Sequence, residues 1–297
     1  MTEKITVIYI ISDRRSGSTL LENMLSKSEE IISVGELAML KGHIDKQGPG
    51  IFWNWNCSCG KPVLECEFWN KVLNNIYDDN FQTKTKWPFK STKITVASFF
   101  PKSACKTLWK FINTQKNFNT INTLNEIYQS VSSFSSKKII VDSSKDPMQA
   151  LAISKCKNII PKYIWLKRDT RAITYSKMKR AKINKNSDKR GLRTLAATLF
   201  FKKICASAVR CLKKYSTLTI SYEALAANPQ RELDKICNYF GLKNYTAPGY
   251  MELSNDHTIG GTPGRFERRP VAEDTTWKNF YANRPILNLL GKFANRF

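Results

Sequence analysis

Apolar positions along the chain fall into short β-branched blocks separated by stretches of helical spacing. Ile5-Thr6-Val7-Ile8-Tyr9-Ile10-Ile11 shows no polar alternation, which is how a strand buried on both faces of a parallel sheet reads. Leu20, Leu21, Met24 and Leu25 then recur at helical spacing, so strand, tight loop and helix are predicted in succession. Ile31-Ile32-Ser33-Val34, ending at Gly35-Glu36, predicts a second strand. Lys138-Ile139-Ile140-Val141, Tyr163-Ile164-Trp165-Leu166 and Leu218-Thr219-Ile220-Ser221-Tyr222 predict three more. Helices are predicted from Pro147, from about Thr170, and from Leu192 to Lys214 with Leu195, Leu199, Ile204 and Leu212 on the buried side. Asn228 as N-cap, Pro229 in the first turn and Gly241 as a stop frame another helix, which buries Leu233, Ile236 and Phe240. This alternation predicts an α/β fold, with a central, mostly parallel sheet flanked by helices.

Length and composition narrow the picture. At 297 residues and 42% hydrophobic, the chain can bury one large core, and residues 1–297 read as a single domain. Residues 42–135 interrupt the alternation: they are rich in Asn, Lys, Ser and Thr with scattered aromatics, and predict a cap or insertion. The first apolar run is too short to span a bilayer, and Asp13, Arg14 and Arg15 follow it without a cleavage site. Neither a membrane span nor a signal peptide is predicted, which makes the cytoplasm the expected location. Lys and Arg number 48 against 24 Asp and Glu, a formal charge of +24. That excess favours anionic nucleotides, polyanions or acidic membrane surfaces as partners, with drift on a solvated surface as its other source. Eight cysteines in so long a chain do not read as a disulfide-dense secreted scaffold, and most are expected to be free thiols.

Candidate chemistry concentrates where strands end. Arg15-Ser16-Gly17-Ser18-Thr19-Leu20-Leu21 lies between the first strand and the first helix, and offers backbone N–H groups, hydroxyls and a cation to an oxyanion at a helix N-terminus. The G-x-x-x-x-G-K-[ST] spacing is absent, which counts against a P-loop kinase or NTPase. Asp142-Ser143-Ser144-Lys145 and Lys167-Arg168-Asp169 each close an apolar run, where α/β sheets place ligands, outside the carboxyl ends of strands. Arg168 is followed on the next predicted helix by Ser176. In this order, Arg15 to Leu21 resembles the 5′-phosphosulfate loop, and Arg168 to Ser176 the 3′-phosphate signature, of the sulfotransferases that use 3′-phosphoadenosine-5′-phosphosulfate (PAPS). Val141-Asp142-Ser143-Ser144-Lys145, Cys57-Ser58-Cys59-Gly60 with Cys66-Glu67-Phe68-Trp69, Ser221-Tyr222-Glu223 and Gly260-Gly261-Thr262-Pro263-Gly264-Arg265-Phe266 are similar to segments of bacterial and carbohydrate-type members. The resemblance runs from about residue 5 to about residue 280. It departs from the usual pattern at Arg15, where hormone-type members carry lysine, and at Thr262-Pro263, where Asn-Pro is more usual.

The resemblance implies a P-loop-like three-layer fold and transfer of a sulfuryl group from PAPS to a hydroxyl or amine, with release of 3′-phosphoadenosine-5′-phosphate (PAP) and no need of a metal. It assigns Arg15, Ser16, Gly17, Ser18, Thr19 and Leu20 to the 5′ end of the donor. Arg168 and Ser176 fall to the 3′-phosphate, with Arg265 as a further cation there. Tyr222 packs on adenine or is a core tyrosine at a strand end. Lys145 reaches the sulfuryl oxygens or stands in solvent at a helix start. In-line displacement needs a general base, and Glu36 is the expected one, with His43 and His257 as alternatives. The basic run from Lys177 to Arg193 reads as a solvated loop or as a cover over the nucleotide, and lacks the interleaved aromatics of a single-strand nucleic-acid platform. Cys57, Cys59 and Cys66 supply three ligands where structural zinc takes four, without a C-x-x-C spacing, so packed thiols, a local disulfide and zinc stay open. The expected acceptor is a carbohydrate or small natural product, with lipid-linked glycans and tyrosyl peptides open; residues 42–135 would shape its side. No specific nucleic acid partner is expected, although a non-catalytic polyanion binder is the rival that the charge permits. Oligomeric state is not legible.

Overall fold

A computed structural model of the chain describes residues 4–44, 56–76, 101–181, 188–252, 256–262 and 266–296. β1 (Ile5–Ile11) leads through a loop into α1 (Ser18–Leu25), and β2 (Ile31–Gly35) is followed by a short helix, α2 (Leu40–Ile44). The helices α3 (Glu67–Asn74), α4 (Pro101–Ile112) and α5 (Gln115–Ser135) precede β3 (Ile139–Lys145), α6 (Pro147–Ile153), β4 (Ile159–Lys167), α7 (Thr170–Arg180) and α8 (Asp188–Cys211). After β5 (Thr217–Ser221) come α9 (Tyr222–Ala227), α10 (Pro229–Phe240) and an antiparallel ribbon of β6 (Tyr250–Met251) and β7 (Arg269–Pro270). The last described helices are α11 (Trp277–Ala282) and α12 (Pro285–Ala294).

The main sheet has the order β2-β3-β1-β4-β5, and every pairing in it is parallel. Side chains of β1 explain why its sequence lacks alternation: Val7, Tyr9 and Ile11 enter one apolar cluster, and Ile8 and Ile10 the other. Helices α3 to α6 cover the first face, while α1, α9 and α10 cover the second. The chain runs to one side of β1 for β2 and β3, and to the other for β4 and β5. A crevice therefore opens at the carboxyl end of β1, where open α/β sheets bind ligands. Pro161 is tolerated in β4 because β5 pairs only from Tyr163 onward, so the start of β4 has a neighbour on one side only.

Several expectations need revision. The described part of 42–135, where the sequence shows only weak helix signals, supplies α3, α4 and α5, and Trp69, Leu108, Leu124 and Tyr128 are fully buried in the first cluster. Tyr222 opens a helix and does not end a strand; the Ser221 hydroxyl caps that helix at the Ala224 N–H. Asn228 holds the N-cap position of α10 but makes no side-chain cap, leaving Pro229 to set the first turn. Leu195 and Leu212 are buried as expected and Leu199 packs against a third apolar cluster, but Ile204 is only half-buried, and Gly191, Thr198, Lys202, Cys205 and Ala208 make up much of the buried side of α8. The basic run is helical at both described ends, in α7 and α8, with 182–187 outside the described residues. Cys105 and Cys211 form a disulfide that ties α4 to the end of α8, and the other cysteines are free. Among the described residues, no helix is long and apolar enough to cross a membrane.

Candidate active site

The loop after β1 turns sharply. Arg15 adopts φ 72° and Gly17 φ 88°, left-handed values that cost a non-glycine residue about 1–2 kcal/mol. Gly17 is required twice over, since a Cβ there would lie 2.3 Å from the Tyr222 ring. The turn delivers the chain into α1, whose first residue is Ser18 and whose first turn holds no acidic residue. Free N–H groups at that end favour an anion.

A cavity of about 950 Å³ opens above this loop, within the size of small-molecule sites. Arg15, Gly17, Ser18, Thr19 and Leu20 line it from one side; Ser16 does not, and its hydroxyl is buried without a partner among the described residues. Arg168, just past the end of β4, and Ser176, on α7, line the same wall. The two segments are bonded directly: Arg15 Nε donates to Ser176 Oγ at 2.9 Å, and Arg168 Nη1 donates to the Arg15 carbonyl at 3.0 Å. Arg168 is held further by Asp274 at 3.3 Å, with its guanidinium 4.2 Å from the centre of the Tyr222 ring. Tyr222 in turn accepts the Asp274 N–H at 3.1 Å, so most of the ring is committed to Gly17 and Arg168. Glu223 anchors the start of α7 by accepting the Asp169 N–H at 2.8 Å.

Charge on this wall is strongly one-signed. Burial, and then the nearby guanidinium groups of Arg180, Arg168 and Arg269, hold Arg15 below the ordinary arginine value. A multiply charged anion would relieve that repulsion. Lys177 also lines the cavity and is bonded at 2.6 Å to Asp13, whose carboxyl is pushed up by burial and pulled back by that lysine.

Glu36 and Lys145 meet elsewhere on the cavity lining, Nζ to Oε1 at 2.6 Å, both nearly buried. Lys145 is not a solvent residue at a helix start: it ends β3 at φ 70°, beside the register shift between β1 and β3. Bulges of this kind re-aim side chains at the rims of sites. Ser144 supports the arrangement by accepting the Ala38 N–H at 2.9 Å, and Lys145 Nζ donates to the Ser143 carbonyl at 3.0 Å. Gly35, at φ 73°, lets the Ile259 backbone press against it; a Cβ would stand 2.2 Å from that carbonyl oxygen. Of the alternative bases, His43 is buried in α2 and His257 lies beside Cys57 and Cys66, and neither lines the cavity. Arg265 lies outside the described residues.

A model of the Sulfotransferase family matches residues 8–247, a span that contains the loop, Glu36, Lys145, Arg168, Ser176 and Tyr222. The chain belongs to the sulfotransferase family. Solved sulfotransferase structures share its fold. The sulfotransferase domain from the curacin biosynthetic pathway aligns with a TM-score of 0.54 at 16% identity, over 99% of this chain and 98% of that one. The sulfotransferase domain of the Synechococcus PCC 7002 olefin synthase gives 0.50 at 15%, over 100% and 95%. A search of curated protein sequences returns no match.

Within this sulfotransferase, three contributors escaped the sequence: Arg269 and Asp274 on and after β7, and Arg14 in the loop itself. Arg14 stood in view next to Arg15. Arg269 had no local signal, because the ribbon that carries it has strands of only two residues, and Asp274 lies in the loop that follows.

Proposed function

We propose that the protein transfers a sulfuryl group from PAPS to a hydroxyl or amine of a carbohydrate or small natural product and releases PAP. The observation that carries this reading is the bonding of the two phosphate motifs, Arg15 to Ser176 and Arg168 to the Arg15 carbonyl, on one wall of a cavity that Glu36 and Lys145 also line. Arg15 and the N–H groups of Gly17, Ser18 and Thr19 serve the 5′ end of the donor. Arg168 and Ser176 serve the 3′-phosphate, for which a planar guanidinium suits two oxygens at once. Tyr222 acts as the support of Arg168.

Glu36 takes the acceptor's proton as the new bond to sulfur forms and the bond from sulfur to the donor's phosphate oxygen breaks, with the electron pair staying on PAP. Lys145, paired with Glu36 at 2.6 Å, holds the carboxylate in position beforehand. When Glu36 is protonated, the ammonium is released from that pairing and stabilises charge on the sulfuryl or leaving oxygen. The chain's own cations neutralise the donor, so no step calls for a metal.

Ligand-induced melting shifts test the reading. PAP or PAPS should raise Tm well above ADP or ATP at equal concentration, since only the former load the Arg168 pocket. Equal shifts would refute donor recognition, and activity abolished by EDTA and restored by magnesium would point to phosphoryl transfer.

A further inference from the structure

Away from the cavity, Cys57, Cys59, Cys66 and His257 place four ligand atoms within 4.8 Å of one another. The Cys57 and Cys66 sulfurs are 3.7 Å apart, and His257 Nδ1 stands 3.7 Å and 3.1 Å from them. A tetrahedron with bonds of about 2.3 Å to sulfur and about 2.0 Å to nitrogen has edges of about 3.8 Å between sulfurs and about 3.5 Å between sulfur and nitrogen. The two 3.7 Å separations lie within about 0.2 Å of those edges and the 3.1 Å one is shorter by about 0.4 Å, while the sulfurs are far outside the disulfide length of about 2.05 Å. Three thiolates and one imidazole in tetrahedral array are a zinc set, closed to a fifth ligand and thus structural.

The surroundings suit a metal. The Cys59 and Trp69 main-chain N–H groups bond to the sulfurs of Cys57 and Cys66, the kind of outer hydrogen bond that orients metal ligands. Phe68 stacks on the His257 ring at 5.0 Å, and the Trp69 indole donates to the His257 carbonyl at 2.6 Å, fixing the imidazole from two sides. We infer that Cys57, Cys59, Cys66 and His257 bind one structural zinc ion, which clasps residues 256–260 to the Cys57–Cys66 turn and so holds Glu36 in place.

The link to Glu36 is a short chain of hydrogen bonds. Ser58 and Thr258 exchange main-chain and hydroxyl bonds at 3.0 and 2.9 Å. Asp256 accepts the Ser33 N–H at 2.9 Å, Ile259 donates to the Val34 carbonyl at 3.1 Å, and the Glu36 N–H donates to the Ile259 carbonyl at 2.7 Å. Residues 256–260 thus lie between the cysteine turn and the end of β2. The metal site stands apart from the sulfuryl-transfer reading, and only its consequence for Glu36 rests on that reading.

Elemental analysis of the full chain, purified without chelator, should find about one zinc per chain. Cobalt(II) in its place should show the visible bands of tetrahedral thiolate coordination. Cys66→Ser should lose the metal, whereas His257→Cys, which recreates a four-cysteine set, should keep it. A parent protein that holds no zinc and takes none up from zinc buffer overturns the inference, as does a Cys57–Cys66 disulfide in fresh protein or full zinc occupancy in Cys66→Ser. Stripping the zinc should lower turnover at least tenfold while PAP still raises Tm. Unchanged turnover in metal-free protein would refute the coupling to Glu36 and leave the zinc site standing, because metal content is read without any activity assay.

Discussion

Arg168 uses its three nitrogens differently: Nη1 donates to the Arg15 carbonyl, Nη2 pairs with Asp274, and Nε is buried without a partner among the described residues. A buried donor without an acceptor is costly, and a phosphate oxygen would satisfy it. Arg168→Ala should therefore weaken PAP binding by about 2–4 kcal/mol in calorimetry, the range for removing one partner of a buried charge pair. Arg168→Lys should recover only part, because a point charge cannot replace the fork; parental affinity in both variants would remove Arg168 from the donor site. Glu36→Gln tests the other end of the cavity. It keeps shape but cannot take a proton, so single-turnover rates should fall by roughly two to four orders of magnitude with PAP affinity near parental. Normal turnover would return the role to another group. These residues were legible because each lies within a few positions of a strand end, where sequence order and spatial order coincide. The fourth member of the cysteine cluster was not, since His257 is 191 positions from Cys66 and only the fold brings them together.

At the scale of elements, the five sheet strands and helix α10, with Leu233, Ile236 and Phe240 on its buried side, were predictable, whereas helices α3 to α5 and the helix start at Tyr222 were not. Ile121, Leu124, Ile127, Tyr128 and Val131 form a buried stripe at helical spacing on α5, yet Asn, Thr, Ser and Gln surround them in sequence and dilute the signal. On and just after α8, Leu195 and Leu212 are buried as expected, but Thr198, Lys202 and Cys205 share the buried side, where the helix packs on α7 and α12. Lys202 is the sharpest case. Its ammonium donates to Thr170 Oγ1 at 3.0 Å and to the Ala294 carbonyl at 3.3 Å, joining three helices, and burial with the repulsion of Lys167 pushes its pKa down to about 8. Between that value and the ordinary 10.5, the unfolded chain binds the proton and the folded one does not, so stability rises with pH there. The Tm difference between the parent and Lys202→Met should grow in the parent's favour across that window; a flat difference would mean an unperturbed lysine. Gly17→Ala probes the loop: left-handed backbone alone costs about 1–2 kcal/mol, and the new Cβ collides with Tyr222. Lower Tm and weaker PAP binding are expected. Adding Tyr222→Ala should relieve the collision without restoring the backbone, and an unaffected Gly17→Ala would show that the turn relaxes.

The whole molecule carries a formal charge of +24, and part of it converges on the cavity through Arg15, Arg168, Lys177, Arg180 and Arg269. A concave site lined with one sign of charge focuses the field and speeds arrival of an anion by about 10- to 1,000-fold at low salt. Once the anion is seated, short charge-assisted bonds hold it, and these are screened far less than the field outside. The two contributions can be separated by ionic strength. Raising salt from about 0.02 to about 0.5 M shrinks the Debye length severalfold, so kcat/KM for PAPS should fall roughly tenfold while kcat at saturating donor holds. A polyanion binder that merely shares the fold would behave otherwise: heparin or DNA would bind with a steep salt slope, PAP would leave Tm unchanged, and no PAP would form from PAPS. Under the enzymatic reading heparin competes with PAPS only at low salt, where long-range attraction recruits both, and loses that competition as salt rises. Heparin that still blocks PAPS at high salt would mean that the cavity belongs to the polyanion.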